Sequence, residues 1–273
     1  MSRAMIQAAV TMGQLQNKLD VIGNNLANSQ TNGYKRKQTE FSSMLVQQID
    51  HLQHGSRNEG RLTPDGIRVG TGARLGSIHQ DDTMGSLRET DRGLDVALNE
   101  PNHYFQVQFE ENGITETRYT RDGAFYLQPV NNDTAVMLTN ASGNPILGSN
   151  GPIVLANGFD SIEITDQGAI VTSRNQVEQV EGQIATVAIE RSRMLEGTGE
   201  NMFRIPDEVV NAAGMIQPLT GNEANLTVGA LEQSNVDLAN EMSELLMAQR
   251  SYQYNARTIS MGDQMYGLIN QLR

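Results

Sequence analysis

The N-terminal stretch Met1–Leu26, MSRAMIQAAVTMGQLQNKLDVIGNNL, decides the fold. Its apolar residues Met1, Met5, Ala8, Met12, Leu15, Leu19, Ile22 and Leu26 recur at alternating steps of four and three, an a/d heptad seam. The positions between them are mostly Gln, Asn, Thr and Ala. The spacing therefore predicts one long amphipathic helix of about 39 Å, at roughly 1.5 Å per residue. Asn28, Asn32 and Gly33 tolerate positive φ, and Asn32-Gly33 is a strong turn signal, so the helix stops sharply there.

The same grammar returns at the other end. Leu238, Met242, Leu245, Gln249, Tyr252, Ala256 and Ile259 follow one another at steps of four and three, and the seam then drifts to Met265 or Tyr266, Ile269 and Leu272. Ser234 with Asp237 three residues later reads as a capping-box-like start. Glu241 and Glu244 come early and Arg250, Arg257 and Arg273 late, a distribution whose terminal members complement the helix dipole. A second helix of about 37 residues, or about 55 Å, is expected.

Two heptad helices at opposite ends of one chain allow two readings. They form an intramolecular hairpin, or they are assembly surfaces completed only in an oligomer. Ala8, Gln249 and Ala256 are weak knobs for an isolated pair, which favours the second. The flanks are amide-rich where a soluble coiled coil places Glu and Lys, and the chain has 24 Asn and 22 Gln against 32 acidic residues. In a polymer, stacked like charges repel, whereas amides pair with amides.

Between the helices the period changes. Residues 37–86 lose both the helical and the strand period and read as an extended linker. From 87 to 230 the period is two and turns recur: Phe105, Val107 and Phe109 alternate with Gln106 and Gln108, and Asn112-Gly113, Asp122-Gly123 and Gln167-Gly168 punctuate the runs. The expected fold class is α+β. A helical coiled-coil domain is built discontinuously from residues 1–36 and 231–273, and an all-β domain is inserted at 87–230.

Composition narrows the function. Net charge is −12, against a nucleic-acid or membrane-surface partner. The apolar runs are far shorter than the roughly 20 residues that span a bilayer, and the start has no continuous apolar core of a secretion signal. With no cysteine, disulfides, thiolate catalysis and Cys-based metal sites are excluded. His51 and His54 at i, i+3 lack a third ligand, and Gly70, Gly72 and Gly76 give GxGxxxG outside any βαβ unit. Asp81-Asp82, Asp91 and Glu110-Glu111 read as solvated acids, because adjacent strand residues face opposite ways. Lys35-Arg36-Lys37 is the only dense basic cluster, either a solvated helix exit or a contact to an acidic neighbour. No catalytic, cofactor or metal residue is assigned, and the expectation is a structural, non-enzymatic protein.

The stretch Ala27-Asn28-Ser29-Gln30-Thr31-Asn32-Gly33-Tyr34-Lys35-Arg36 resembles the ANxxTxGYKR signature of bacterial flagellar rod and hook proteins. Leu231-Glu232-Gln233-Ser234-Asn235-Val236-Asp237 and Met247-Ala248-Gln249-Arg250-Ser251-Tyr252 resemble the family's C-terminal segment. Leu94-Asp95-Val96-Ala97-Leu98 and Tyr119-Thr120-Arg121-Asp122-Gly123-Ala124-Phe125 resemble its β-domain. Gly66-Ile67-Arg68-Val69-Gly70-Thr71-Gly72 is similar to a stretch of distal-rod (FlgG-type) proteins, while Asn99-Glu100-Pro101-Asn102-His103-Tyr104-Phe105 departs from the family's glycine-rich turn.

The resemblance implies an axial subunit of the basal body, most simply distal rod, self-assembling through its terminal helices into a tubular shaft that transmits torque. It also implies signal-peptide-independent export, unfolded, through the flagellar type III apparatus to a place outside the cytoplasmic membrane. The partners would be copies of itself and other rod and hook subunits. A proximal-rod, rod–hook junction or hook-type subunit is the alternative within the family, and a coiled-coil/β surface adhesin the alternative outside it.

Overall fold

The computed structural model describes residues 3–43, 46–49, 67–70, 73–111, 113–130, 133–206, 214–219 and 223–271. A helix stands at each end, α1 over Arg3–Ala27 and α2 over Leu238–Gln271, and the chain between them is mostly strand. The fold is α+β. The chain divides into two compact units, one of Met1–Leu26, Lys37–His79 and Asp237–Arg273, the other of Ala27–Arg36 and Gln80–Val236.

In the helical unit, α2 starts three residues later than a Ser234 cap would place it. Asp237 is the cap: its Oδ1 accepts the N–H groups of Ala239 at 2.9 Å and Asn240 at 3.2 Å. Ser234 Oγ instead accepts the Val236 N–H at 3.4 Å, inside the extended approach to the helix.

Where it is described, the segment 37–86 expected as an extended linker contains paired strands. Lys37–Ser43 pairs with Ala73–Gln80, and Val46–Ile49 runs antiparallel to Ile67–Gly70, with Val46 opposite Gly70 and Ile49 opposite Ile67. A two-stranded ribbon is held by backbone hydrogen bonds and needs no continuous apolar face, so it leaves no period in the sequence. His51 and His54 lie outside the described residues.

Among its described residues the second unit is mostly strand, with a short 3-10 turn at Ser192–Met194. Its largest sheet has six antiparallel strands in the order Glu196–Gly199, Met202–Arg204, Ile114–Thr120, His103–Glu111, Thr186–Ile189 and Ile216–Leu219. Alternation along His103–Glu111 explains why this strand is central. Phe105 and Val107 enter a core with Phe125, Leu138, Ile146, Leu155 and Ile170, while Tyr104 joins Tyr119, Val187, Ile189 and Phe203 in a second cluster. Phe105 meets Phe125 edge-on, with centroids 5.2 Å apart.

Two three-stranded sheets extend the first core: Val154–Ala156, Ala135–Thr139 and Tyr126–Val130, and Ser161–Ile164, Ala169–Arg174 and Val177–Gln183. Two strand pairs tie the beginning of the unit to its end, Val96–Leu98 with Leu226–Val228 and Leu87–Glu89 with Ala230–Glu232.

Candidate functional site

Within the helical unit α1 and α2 run antiparallel. Lys18 Nζ lies 3.0 Å from Glu244 Oε2, and Asn25 Nδ2 donates to Glu241 Oε2 at 3.3 Å. Nearer the other end, a Cβ built on Gly262 would stand 2.8 Å from Cγ and Sδ of Met5. The glycine is what lets Met5 lie against the backbone of α2.

The seam residues separate into two groups. On α1, Met5, Ala8 and Ile22 are buried and Met12, Leu15, Leu19 and Leu26 half-buried. On α2, Leu245, Tyr252, Ala256 and Ile259 are half-buried, while Leu238, Met242 and Gln249 are exposed. The least exposed positions of α2 are Glu241, Ala248 and Gly262. They fall on one line at steps of seven and fourteen, beside Leu245, Tyr252 and Ile259.

A search for apolar knobs passes over an acid, an alanine and a glycine. Each has a physical reason to be there. Ala248 and Gly262 allow close approach of the helices, and Glu241 has the amide of Asn25 to receive a hydrogen bond. Asn25 also closes a two-bond ring with the backbone of Lys37, its Nδ2 donating to the carbonyl at 2.8 Å and its Oδ1 accepting the N–H at 2.9 Å.

The motif 27–36 lies, from Ala27 onward, in the β unit. Ala27 is the last, exposed residue of α1, and Asn28 Oδ1 accepts from Thr31 Oγ1 at 3.2 Å. Gly33 has φ of +66°, and a Cβ there would sit 2.7 Å from the backbone C and O of Arg121. Both the positive φ and the close approach require glycine. Its N–H donates to the Glu232 carbonyl at 2.8 Å, and Tyr34 is buried beside it in sequence.

Lys35 corrects the reading of the basic cluster as a solvated exit or a contact to another subunit. Its side chain is buried, with Nζ 2.7 Å from Glu232 Oε1 and 2.7 Å from the Thr83 carbonyl. Arg121 Nε donates to Glu232 Oε2 at 2.9 Å, and its Nη2 lies 2.7 Å from the same oxygen. Arg121 Nη1 reaches the carbonyls of Glu100, Pro101 and His103, in the stretch that departs from the family's glycine-rich turn. The Gly85 N–H completes the shell of Glu232 at 3.0 Å. A carboxylate shared by two buried cations is thus saturated by charge-assisted bonds.

Burial pulls the Lys35 ammonium below its ordinary range, and Arg121 adds to this against the opposing pull of Glu232. Burial alone would raise the Glu232 carboxyl, but Arg121 and Lys35 outweigh it and hold the group below the usual carboxylate value. Arg36 and Asn235 add a second clasp. The Arg36 N–H donates to Asn235 Oδ1 at 2.7 Å, and Asn235 Nδ2 donates to the carbonyls of Asp81 and Thr83 at 2.9 and 3.0 Å. The motif therefore joins the entering and leaving passages of the β unit.

The stretches holding Glu232 and Arg121 carry the family resemblance, but sequence gives no sign that these two side chains meet across 111 residues. Among the described residues no group of three or more His, Cys, Asp or Glu side chains is placed to hold a metal ion, and no helix is long and apolar enough to cross a membrane.

Three family models match the chain in order: flagella basal body rod protein over residues 5–35, flagellar hook protein FlgE/F/G D1 domain over 100–172, and flagellar basal body rod FlgEFG protein C-terminal over 227–272. The flagellar hook-basal body complex protein FlhP of Bacillus subtilis is 39% identical over 279 residues, covering 100% of both chains. The flagellar basal-body rod protein FlgG of the same organism is 31% identical, covering 100% of both, and FlgG of Caulobacter vibrioides is 32% identical, covering 99% of both. These matches replace the adhesin alternative. The clasped motif, the paired terminal helices and the full-length similarity lead to one conclusion: the chain belongs to the flagellar basal-body rod protein family, as a structural rod subunit of FlgG type.

Proposed function

We propose that this subunit stands in the distal rod and polymerises with copies of itself and with neighbouring rod and hook subunits. In this reading α1 and α2 form coiled-coil contacts between subunits, and the resulting tube transmits torque. The subunit reaches its place beyond the cytoplasmic membrane unfolded, through the flagellar type III export apparatus. The observation that carries the proposal is the surface of α2. Leu238, Met242, Leu246, Met247, Tyr254 and Met261 are each about half exposed or more, although the helix already has α1 as a partner. An apolar surface of that length calls for further cover.

A junction position next to the hook is the second reading. It is favoured by the greater identity to the hook-basal body complex protein, 39%, than to the FlgG of the same organism, 31%. The test is recovery of the chain in isolated basal bodies at equal export. Leu245→Asp places a carboxylate in the half-buried helix seam and should abolish incorporation, while Glu110→Ala, on an exposed strand position, should leave it at the parental level. Parental incorporation of Leu245→Asp would overturn assembly through the helices.

A further inference from the structure

The two helices each carry a second heptad line, turned away from the first. On α2, Met247, Tyr254, Met261 and Leu268 follow at steps of seven, with Arg250 and Arg257 between them at the complementary steps of three and four. All six are exposed, and each of the four apolar residues is more than half so. On α1, Ile6, Ala9, Gly13, Gln16, Asp20 and Gly23 follow at steps of three and four, and all six are likewise exposed. A Cβ added to Gly13 or Gly23 would meet nothing within 4 Å. Glycine inside a helix costs about 0.5–1 kcal/mol relative to alanine, and among the described residues nothing approaches these two to account for it.

The two lines are complementary in size and charge. The α2 line is large and cationic, with thioether and phenol knobs alternating with guanidinium groups. The α1 line is small at Ala9, Gly13 and Gly23, has the longer Ile6 and Gln16 before and between them, and carries the carboxylate of Asp20. Small residues let a neighbouring helix approach closely, which is the hole that a large knob needs. Both lines extend for comparable lengths, about 26 Å from Ile6 to Gly23 and about 31 Å from Met247 to Leu268, at 1.5 Å per residue. A line of large cationic residues does not complement itself, so a symmetric dimer through α2 alone would set Arg against Arg.

We infer that the outward line of α2 in one copy docks on the outward line of α1 in a second copy, with Arg250 or Arg257 facing Asp20. This rests on the self-assembly proposed above and specifies its faces. The contact is heterologous: each copy uses a different patch to bind the next, so both patches remain free at the two ends of any oligomer. Such a contact repeats into an open filament unless rotation closes it. It also gives the two helices divided duties, with the inner lines making the hairpin and the outer lines joining copies.

The natural absence of cysteine makes the test direct, since any disulfide must come from introduced residues. Gly13→Cys is expressed together with Tyr254→Cys or Met261→Cys on differently tagged copies, in cells that build basal bodies, which are then isolated and oxidised. The expected result is a mixed-tag covalent dimer for at least one pairing, and a ladder of multimers when both cysteines are placed on one chain. A second arm uses Gly13→Leu, which has open space in the monomer and should fold as the parent does by circular dichroism, yet fall at least tenfold in basal bodies. Absence of the chain carrying no substitution from basal bodies would overturn both self-assembly and this contact. Normal incorporation without mixed-tag dimers, or with Gly13→Leu at the parental level, would overturn the contact alone. Dimers formed only between two Tyr254→Cys copies would likewise replace it with a symmetric pairing.

Discussion

Replacing Glu232 by Gln keeps the shape of the side chain and removes its charge. In the parent, the carboxylate has Lys35 Nζ at 2.7 Å, Arg121 Nε at 2.9 Å and the Gly85 N–H at 3.0 Å. Two unit charges about 4 Å apart attract by about 4 kcal/mol at an effective dielectric constant near 20, so the gross loss from two cations is about 8 kcal/mol. Part of this is returned, because the parent had to desolvate the carboxylate. What remains is the cost of leaving two buried cations without their anion, about 3–5 kcal/mol for a broken buried pair. The new amide also turns a donor toward donors.

Lys35→Met is the informative companion. It removes one cation and leaves Glu232 with Arg121 and Gly85, so it should cost less than about 2 kcal/mol. The assay is urea unfolding of the full chain followed by far-ultraviolet circular dichroism, with thermal unfolding alongside. At about 2–4 °C per kcal/mol for a domain of this size, Glu232→Gln should lower Tm by about 6–20 °C. A Glu232→Gln protein within about 1 kcal/mol of the parent would refute the reasoning, and so would a Lys35→Met protein less stable than Glu232→Gln.

The same cluster gives a pH dependence. Glu232 is held below its ordinary value, so the unfolded chain binds its proton more tightly; the stability it contributes is complete above about pH 5 and is lost as pH falls through the range below about 4.3, more steeply in the parent than in Glu232→Gln. Lys35 is also held low, so its burial penalty is relieved as pH rises toward about 10.4, and urea midpoints of the parent should gain on those of Lys35→Met there. Gly33→Ala combines a positive φ with a Cβ 2.7 Å from the Arg121 backbone, and should cost about 2–4 kcal/mol by urea unfolding, whereas Gly113→Ala, with φ of +78° and open space, should cost about 1 kcal/mol. Gly262→Leu should separate Met5 from α2 and speed proteolysis of both ends, and adding Met5→Ala should restore part of the protection, as the displaced side chain is then gone.

What the sequence makes legible here follows from how interactions are encoded. Repeated interactions leave a period: the heptads of α1 and α2 and the alternation of Phe105, Val107 and Phe109 announce the helices and the central strand without any partner being known. Pairwise interactions leave none. Glu232 meets Lys35 across 197 positions and Arg121 across 111, and nothing in the spacing of the charges marks them as partners. The ribbon of Lys37–Ser43 and Ala73–Gln80 is silent for a related reason, since backbone pairing needs no particular side chain.

Between these extremes lies the inner line of α2. It is periodic, but its members Glu241, Ala248 and Gly262 are chosen for what they permit rather than for what they bury, and a search for apolar knobs moves to Leu238, Met242 and Gln249 on the adjacent, exposed face. That displacement is itself informative. The inner contact with α1 is close and takes small residues at Ala248 and Gly262, while Met247, Tyr254 and Met261 stay exposed, the surface that the proposed contact between copies would use.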